Sequence, residues 1–364
     1  MSHATRDAER PAGPADRGGR VGAMAGPGRP RRDIVVIGGS AGGIGPLQQV
    51  LSSVPADLPA AIFIVLHLGS SSQLAEILGQ HSNLPVHRAA SGVAIMPGHV
   101  HIAIPGCHIL LHGHHILLRR GPRENLSRPS IDPLFRSAAC SFGARVIGVV
   151  LSGALNDGTA GLRAIQRCGG LAVVQDPADA AYPEMPMSAL RHVAVDHVAA
   201  AQQIGALLAR LTHEPAGETP EIPFDIRLEA AIAAQELGSM EANQQLGQPS
   251  SFSCPECQGV LWEIDDGGLL RYRCQVGHAF TAEAGQADQS KRTEELLWSL
   301  LRNHRERAAL AGRMAEKARS LNHDDTADML RRRARGYEED AEIIRRLLHN
   351  PGSNELVGDQ GEKP

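Results

Sequence analysis

Runs of consecutive apolar residues alternate with stretches of helical periodicity through the N-terminal half of the chain. Residues 33–37, 61–66, 145–151 and 171–174 are near-continuous in Val, Ile, Leu and Ala. That is the pattern of strands buried on both faces. Helical patterning falls at 45–53, 72–80, 130–142, 158–168 and 199–211. Between them, 101–104 and the pair 109–111 and 116–118 read as antiparallel strands, the pair bracketing a turn at His112-Gly113-His114-His115. Over 33–211 the pattern predicts an α/β fold, a doubly wound, mostly parallel sheet with an inserted antiparallel hairpin.

The remainder differs in texture. Residues 1–32 are rich in Pro, Gly, Ala and Arg without periodicity, and read as a disordered tail. Residues 212–252 form a Pro-, Glu- and Gln-rich linker with one weak amphipathic helix near 225–237. Residues 253–281 hold a Cys/His cluster around a hairpin. From 287 to 349, Leu296, Leu297, Leu300, Leu301, Ala308, Ala311, Met314, Ala315 and Ala318 form one apolar stripe. After Asn322-His323-Asp324-Asp325 a second helix carries Met329, Ala334, Ile343, Ile344, Leu347 and Leu348, which predicts an α-helical hairpin. Residues 350–364 read as a second disordered tail.

Composition narrows the function classes. The 36 Lys and Arg against 40 Asp and Glu leave a net charge of −4, without the basic excess of a nucleic-acid binder. No apolar run is long enough for membrane insertion, and no secretory signal pattern opens the chain. Six cysteines in 364 residues do not suggest a disulfide scaffold; with three of them at metal spacing, a cytoplasmic setting is expected.

Gly38-Gly39-Ser40-Ala41-Gly42 is a G-x-S-x-G pattern between a strand and a helix, a turn that lifts a serine hydroxyl above a sheet edge. A serine needs a base to accept its proton, and the base needs an acid to orient it. His67 follows the strand 61–66, and Asp157 lies in the loop after 145–151. Sites in open α/β sheets form beyond the carboxyl ends of strands, where all three are expected. Each also has a plain structural use. Serine is common in Gly-rich turns, histidine after a strand is often only hydrogen-bonded, and Asn156-Asp157-Gly158 can simply be a turn and helix cap. A dinucleotide site would need G-x-G-x-x-G, which no frame of 38–45 supplies.

These stretches are similar to the catalytic domain of the chemotaxis protein-glutamate methylesterases, the CheB family. The resemblance rests on 33–43, Val65-Leu66-His67-Leu68, 127–139 (SRPSIDPLFRSAA), 151–158, Gln175-Asp176-Pro177 and 182–189 (YPEMPMSA), in one consistent order over 33–211. It implies Ser40 as nucleophile, His67 as general base and Asp157 as orienting acid, with no cofactor for catalysis. It implies γ-glutamyl methyl esters on the signalling helices of methyl-accepting chemoreceptors as substrate, and deamidation of receptor glutamines by the same route. Backbone N–H groups of Ala41 and Gly42, at a helix N-terminus, are placed to hold an oxyanion. Arg128 and Arg136 are candidates for gripping an acidic receptor surface. The chain departs from the family's best-known members in two ways. Only 32 low-complexity residues precede the first strand, where those members carry a receiver domain. Gly153-Ala154-Leu155 stands where the family usually reads Gly-Met-Gly, which alters the pocket. A non-catalytic chemosensory adaptor on the same fold is the alternative, disfavoured by the intact Ser40, His67 and Asp157.

Cys254-Pro255-Glu256-Cys257 and Cys274-Gln275-Val276-Gly277-His278 give C-x2-C and C-x3-H around a predicted hairpin, the spacing of a structural zinc ribbon. Cys254, Cys257, Cys274 and His278 are the expected ligands. Cys107, Cys140 and Cys168 read as buried thiols, and His112, His114 and His115 as an exposed turn. A similar tail appears on some family members without a receiver. The C-terminal helices are expected to dock on the receptor coiled coil or to self-associate.

Overall fold

The computed structural model describes residues 30–67, 73–235 and 244–349. The first apolar run forms β1 (Ile34–Gly39), buried at every position. There follow α1 (Ile44–Ser53), β2 (Ala61–Leu66), α2 (Leu74–Gly79), β3 (Val86–Arg88) and β4 (Val100–Ile102). A separate antiparallel hairpin, β5 (His108–His112) and β6 (His115–Arg119), leads to α3 (Ile131–Phe142). Then come β7 (Val146–Val150), α4 (Thr159–Arg167), β8 (Leu171–Gln175), α5 (Glu184–His192), β9 (His197–Ala199) and α6 (Ala201–Leu211).

Seven strands form one sheet in the order β3-β4-β2-β1-β7-β8-β9, and every pairing is parallel. One apolar core lies between the sheet and α3, α4 and α5; the other lies between the opposite face and α1, α2 and α6. The chain builds outward from β1 in both directions, so the crevice at the carboxyl end of β1 is the topological switch point.

Three expectations need correction. Residues 100–102 run parallel to β2 and β3 within the main sheet. A buried three-residue strand has no polar face to betray its direction. Helix α5 escaped prediction because of Pro183 and Pro186, yet these fall at the N-cap and first turn, where a missing N–H costs nothing. Among the thiols, Cys168 is buried but Cys107 and Cys140 are only partly so. The tails at 1–29 and 350–364 lie outside the described residues. Residues 30–32 are tied down: the Ala216 amide donates to the Pro30 carbonyl at 2.7 Å, and Arg32 pairs with Glu214 at 3.6 Å.

The linker contains α7 (Phe224–Ala233), which packs against α3. Then β10 (Gln248–Ser253), β11 (Val260–Asp266), β12 (Leu269–Cys274) and β13 (Ala279–Thr281) make a four-stranded antiparallel sheet. From β13 the chain passes directly into α8 (Ala282–Ser320), earlier than the stripe alone indicated, and returns in α9 (Asp324–His349). Thr281 caps α8, its hydroxyl accepting from the Ala284 amide at 3.2 Å. Along the hairpin, Leu301, Ala308, Ala311, Ala315 and Ala318 are buried, whereas Leu296, Leu300 and Met314 remain exposed.

The C-terminal module is joined to the α/β domain by buried charge. Arg136 of α3 pairs with Glu124; Arg273 of β12 reaches Glu124 at 3.3 Å and Glu229 of α7 at 2.7 Å; Arg271 meets Glu229 at 2.6 Å. All five side chains are buried. Burial opposes the charge on Glu229, but Arg271, Arg136 and Arg273 outweigh it and hold its pKa well below the ordinary value of 4.5. A depressed carboxyl stabilises the fold above its unfolded pKa and loses that contribution on acidification. Removing one partner of such a network strands the others without compensation. Glu229→Gln is therefore expected to cost about 3–5 kcal/mol. The loss is to be read by urea unfolding, followed through the fluorescence of Trp262 and Trp298, both of which lie in this part of the chain. A midpoint unchanged from the parent would refute the role given to this network.

Candidate active site

Ser40 is the first residue beyond β1, and His67 the first beyond β2. Their predecessors Gly39 and Leu66 are paired in register, and the His67 amide donates to the Gly39 carbonyl at 3.1 Å. The two residues thus leave neighbouring strands side by side. The Ser40 amide donates to the Ser152 carbonyl at 2.9 Å, tying the serine turn to the loop after β7. Gly42 has φ +71°, a conformation that costs glycine little, and a Cβ there would press on Ser152, Ala181 and Tyr182. Gly153 is needed for space: a Cβ would overlap the Met185 sulfur and crowd the Ser40 Cβ.

His67 Nε2 lies 3.0 Å from Asp157 Oδ2, with the N–H direction off the line to the oxygen. The Ser40 hydroxyl makes no hydrogen bond to this ring; such bonds commonly tighten only when substrate is bound. Asp157 is 3% exposed. Its carboxylate accepts from the Ile131 amide at 2.7 Å, the Asp132 amide at 3.2 Å, the Gly158 amide at 2.9 Å, the Asn125 side chain at 2.8 Å and the Ser130 hydroxyl at 2.9 Å. Two of these amides open α3, where the helix dipole favours an anion. Burial alone would raise the Asp157 pKa. The contact and charge of His67, with the Ile131 and Asn125 donors, overcome burial and hold it at about 2. A carboxylate so held is ionised at neutral pH.

Sequence reasoning missed this supporting shell. Asn125, Ser130 and Asp132 carry no motif of their own, although two of them sit inside the SRPSID stretch. Asp132 is buried beside Asp157. Its oxygens accept from the Gly161 amide at 2.6 Å and from the Asn125 side chain at 2.8 Å. Burial, and then the Asp157 charge, push its pKa up to about 7, so a second full charge beside Asp157 is disfavoured.

Arg136 is not a surface arginine. It is 2% exposed and committed to Glu124 and Glu229, because α7 packs against α3 and brings Glu229 to it. Arg128 is partly exposed. With His67, Arg123, Leu126, Ser127 and Pro129 it lines a cleft of about 450 Å³, and its guanidinium donates to the Gly121 carbonyl at 2.7 Å. Ala154 and Leu155 border a cavity of about 360 Å³ with Glu184, Met187 and Glu283. Leu155 has φ +62°, a strained setting for a branched side chain.

The four expected metal ligands converge. The thiols of Cys254, Cys257 and Cys274 and one ring nitrogen of His278 all lie within 4.8 Å of one another. Cys257 and Cys274 sulfurs are 3.6 Å apart, and His278 Nδ1 is 3.8 Å from Cys254 and 3.5 Å from Cys274. Ligand atoms around tetrahedral zinc are roughly 3.5–3.8 Å apart at ordinary bond lengths, so the residues fit such an ion. His278 Nε2 faces Glu256 at 3.3 Å, the carboxylate that a metal-bound histidine usually engages. Among the described residues no helix is long and apolar enough to cross a membrane.

The CheB methylesterase family matches residues 35–208. A putative protein-glutamate methylesterase/protein-glutamine glutaminase of Leptospira interrogans is 39% identical over 182 residues, covering 49% of this chain and 94% of the relative. Protein-glutamate methylesterase/protein-glutamine glutaminase 2 of Anaeromyxobacter dehalogenans is 40% identical over 199 residues, 54% of this chain and 58% of the relative. The Moorella thermoacetica protein of the same name, without the number, is 38% identical over 209 residues, with 54% and 49% covered. The chain thus spans about half the length of the latter two. The crystal structure of the Thermotoga maritima CheB methylesterase catalytic domain aligns at 30% identity and a TM-score of 0.48, covering 51% of this chain and 99% of that one.

Proposed function

As a member of the CheB methylesterase family, this chain, we propose, hydrolyses γ-glutamyl methyl esters on methyl-accepting chemoreceptors through Ser40, His67 and Asp157. The observation that carries the reading is His67 Nε2 at 3.0 Å from Oδ2 of the buried Asp157, with Ser40 leaving the adjacent strand in register.

Asp157 holds the ring through Nε2, which leaves Nδ1 to accept the Ser40 proton as Oγ attacks the ester carbonyl. The carbonyl π pair moves onto oxygen, where the Ala41 and Gly42 amides at the start of α1 stabilise it. Collapse expels the methoxy group, protonated by His67 to methanol, and leaves a glutamyl ester on Ser40. Water, deprotonated by His67, then attacks the acyl carbonyl; the bond to Oγ breaks, His67 returns the proton to Ser40, and the receptor is left with a free glutamate carboxyl. From a glutamine side chain the same steps release ammonia, which is deamidation. Arg123 and Arg128 give the adjoining cleft the charge to seat an acidic receptor helix. In the C-terminal module Cys254, Cys257, Cys274 and His278 would hold a zinc ion in a structural role. Four protein ligands leave no position for substrate.

The test is chemical. The full chain is incubated with a receptor peptide bearing a γ-glutamyl methyl ester, methanol is measured, and a fluorophosphonate adduct is mapped by mass spectrometry. Methanol release with the adduct on Ser40 is expected. A chain that releases none, or that is labelled only elsewhere, does not have this function.

A further inference from the structure

We infer that the C-terminal metal module is a working part of the hydrolytic site, because the strap leaving its metal histidine holds the residues that hold Asp157. The inference rests on the reading of Asp157 as the ring-orienting acid. The strap is β13, three residues long, between His278 and α8. Each end of it is tied. The turn before it is closed by the Cys274 amide donating to the His278 carbonyl and the Gly277 amide donating to the Cys274 carbonyl, both at 2.9 Å. So two metal ligands bracket the segment that launches the strap.

Its backbone and one side chain then reach into the α/β domain. The Asn125 amide donates to the Ala279 carbonyl at 2.7 Å, and the Thr281 amide donates to Asn125 Oδ1 at 3.2 Å. Asn125 is gripped on both sides, in a conformation with φ +47° that needs such support. The remaining half of its side-chain amide donates to Asp157 and Asp132. The Thr281 hydroxyl donates to Asn156 Oδ1 at 2.7 Å, and Asn156 Nδ2 donates to Glu283 in the first turn of α8 at 3.0 Å. Asn156 is the residue before Asp157. Thr281 is fully buried, and Asn125 and Asn156 nearly so. Water therefore does not replace these bonds without the module moving away.

The consequence is specific. Asn125 and Thr281 are positioning residues: they touch no substrate but set where the Asp157 carboxylate sits. Holding the turn 274–278 in shape is what the metal contributes. Its loss frees the strap, and Asp157 loses its Asn125 donor and the brace on Asn156.

The test uses the full chain, loaded with zinc and then stripped by a chelator, with metal content measured in both states. Hydrogen exchange is followed over 122–132 and 154–158, and the rate of Ser40 acylation by a fluorophosphonate is measured in parallel. Stripping is expected to speed exchange at both segments, with helices α1 and α6 unchanged, and to slow acylation roughly 10- to 100-fold, restored by zinc. Thr281→Ala should slow acylation about tenfold with zinc still bound, and Thr281→Ser should recover it. A stripped chain whose exchange at 122–132 and 154–158 matches that of the loaded chain overturns the inference. If loaded protein is not acylated at Ser40 at all, the hydrolytic reading fails, and the exchange data still decide whether the module holds Asp157.

Discussion

Ser40→Ala should lower the turnover of a γ-glutamyl methyl ester by roughly 10⁴- to 10⁶-fold while leaving stability within about 0.5 kcal/mol of the parent. The two halves of this expectation come from different atoms. Chemistry passes through Oγ alone, and the backbone that positions it is untouched: the amide still donates to Ser152, and the carbonyl still accepts from Gly43 at 3.0 Å. No described residue hydrogen-bonds to the hydroxyl, so its removal orphans nothing. Alanine keeps the Ser40 Cβ and adds no atom beside Gly153, where the space is already closed to a side chain. Methanol release and a urea melt on the same preparation measure the two halves. An alanine variant that keeps more than about a tenth of parental turnover would place the nucleophile elsewhere.

Asp157→Asn should cost about 10⁴-fold in turnover, and unlike the serine change it should also weaken the fold. The amide that replaces one carboxylate oxygen brings donors where donors already converge, from Asn125, Ser130, Ile131, Asp132 and Gly158. At least one of them must lose its acceptor in a buried setting, at about 1–3 kcal/mol. The pH dependence carries a sign. The folded carboxyl sits at about 2 against an ordinary 3.8, so its contribution is present above 3.8 and lost as the pH falls toward 2. The asparagine variant should lack that part of the acid loss. Turnover at neutral pH together with unfolding midpoints across the acid range checks both claims. A variant as stable and as acid-sensitive as the parent would mean that these donors do not depend on the charge.

Much of the site was legible because strand ends in a parallel sheet are chemically distinctive. Ser40 and His67 each follow a short apolar run, and a run buried on both faces names its own terminus. Asp157 was legible through the loop after the next such run. The Cys/His cluster was legible because C-x2-C and C-x3-H spacings are local. Arg136 was misread for the opposite reason. An arginine within an amphipathic helix ordinarily faces water, and nothing near it in the chain announces that Glu124 from the preceding loop, Glu229 from α7 and Arg273 from β12 gather there. The direction of β4 and the existence of α5 were hidden because three buried residues have no preferred sense and because prolines in a first turn look like a break.

What the sequence by itself determined are the features set by neighbours along the chain: alternation of strands and helices, the serine turn, and two close-set ligand pairs. Tertiary structure alone decided which groups surround the carboxylate of Asp157, and that a cysteine-bearing module far along the polypeptide grips Asn125 and Asn156. The physical reason is that a buried polar group is satisfied by whatever partner the packing delivers. The identity of that partner is a matter of distance in space, on which local pattern is silent.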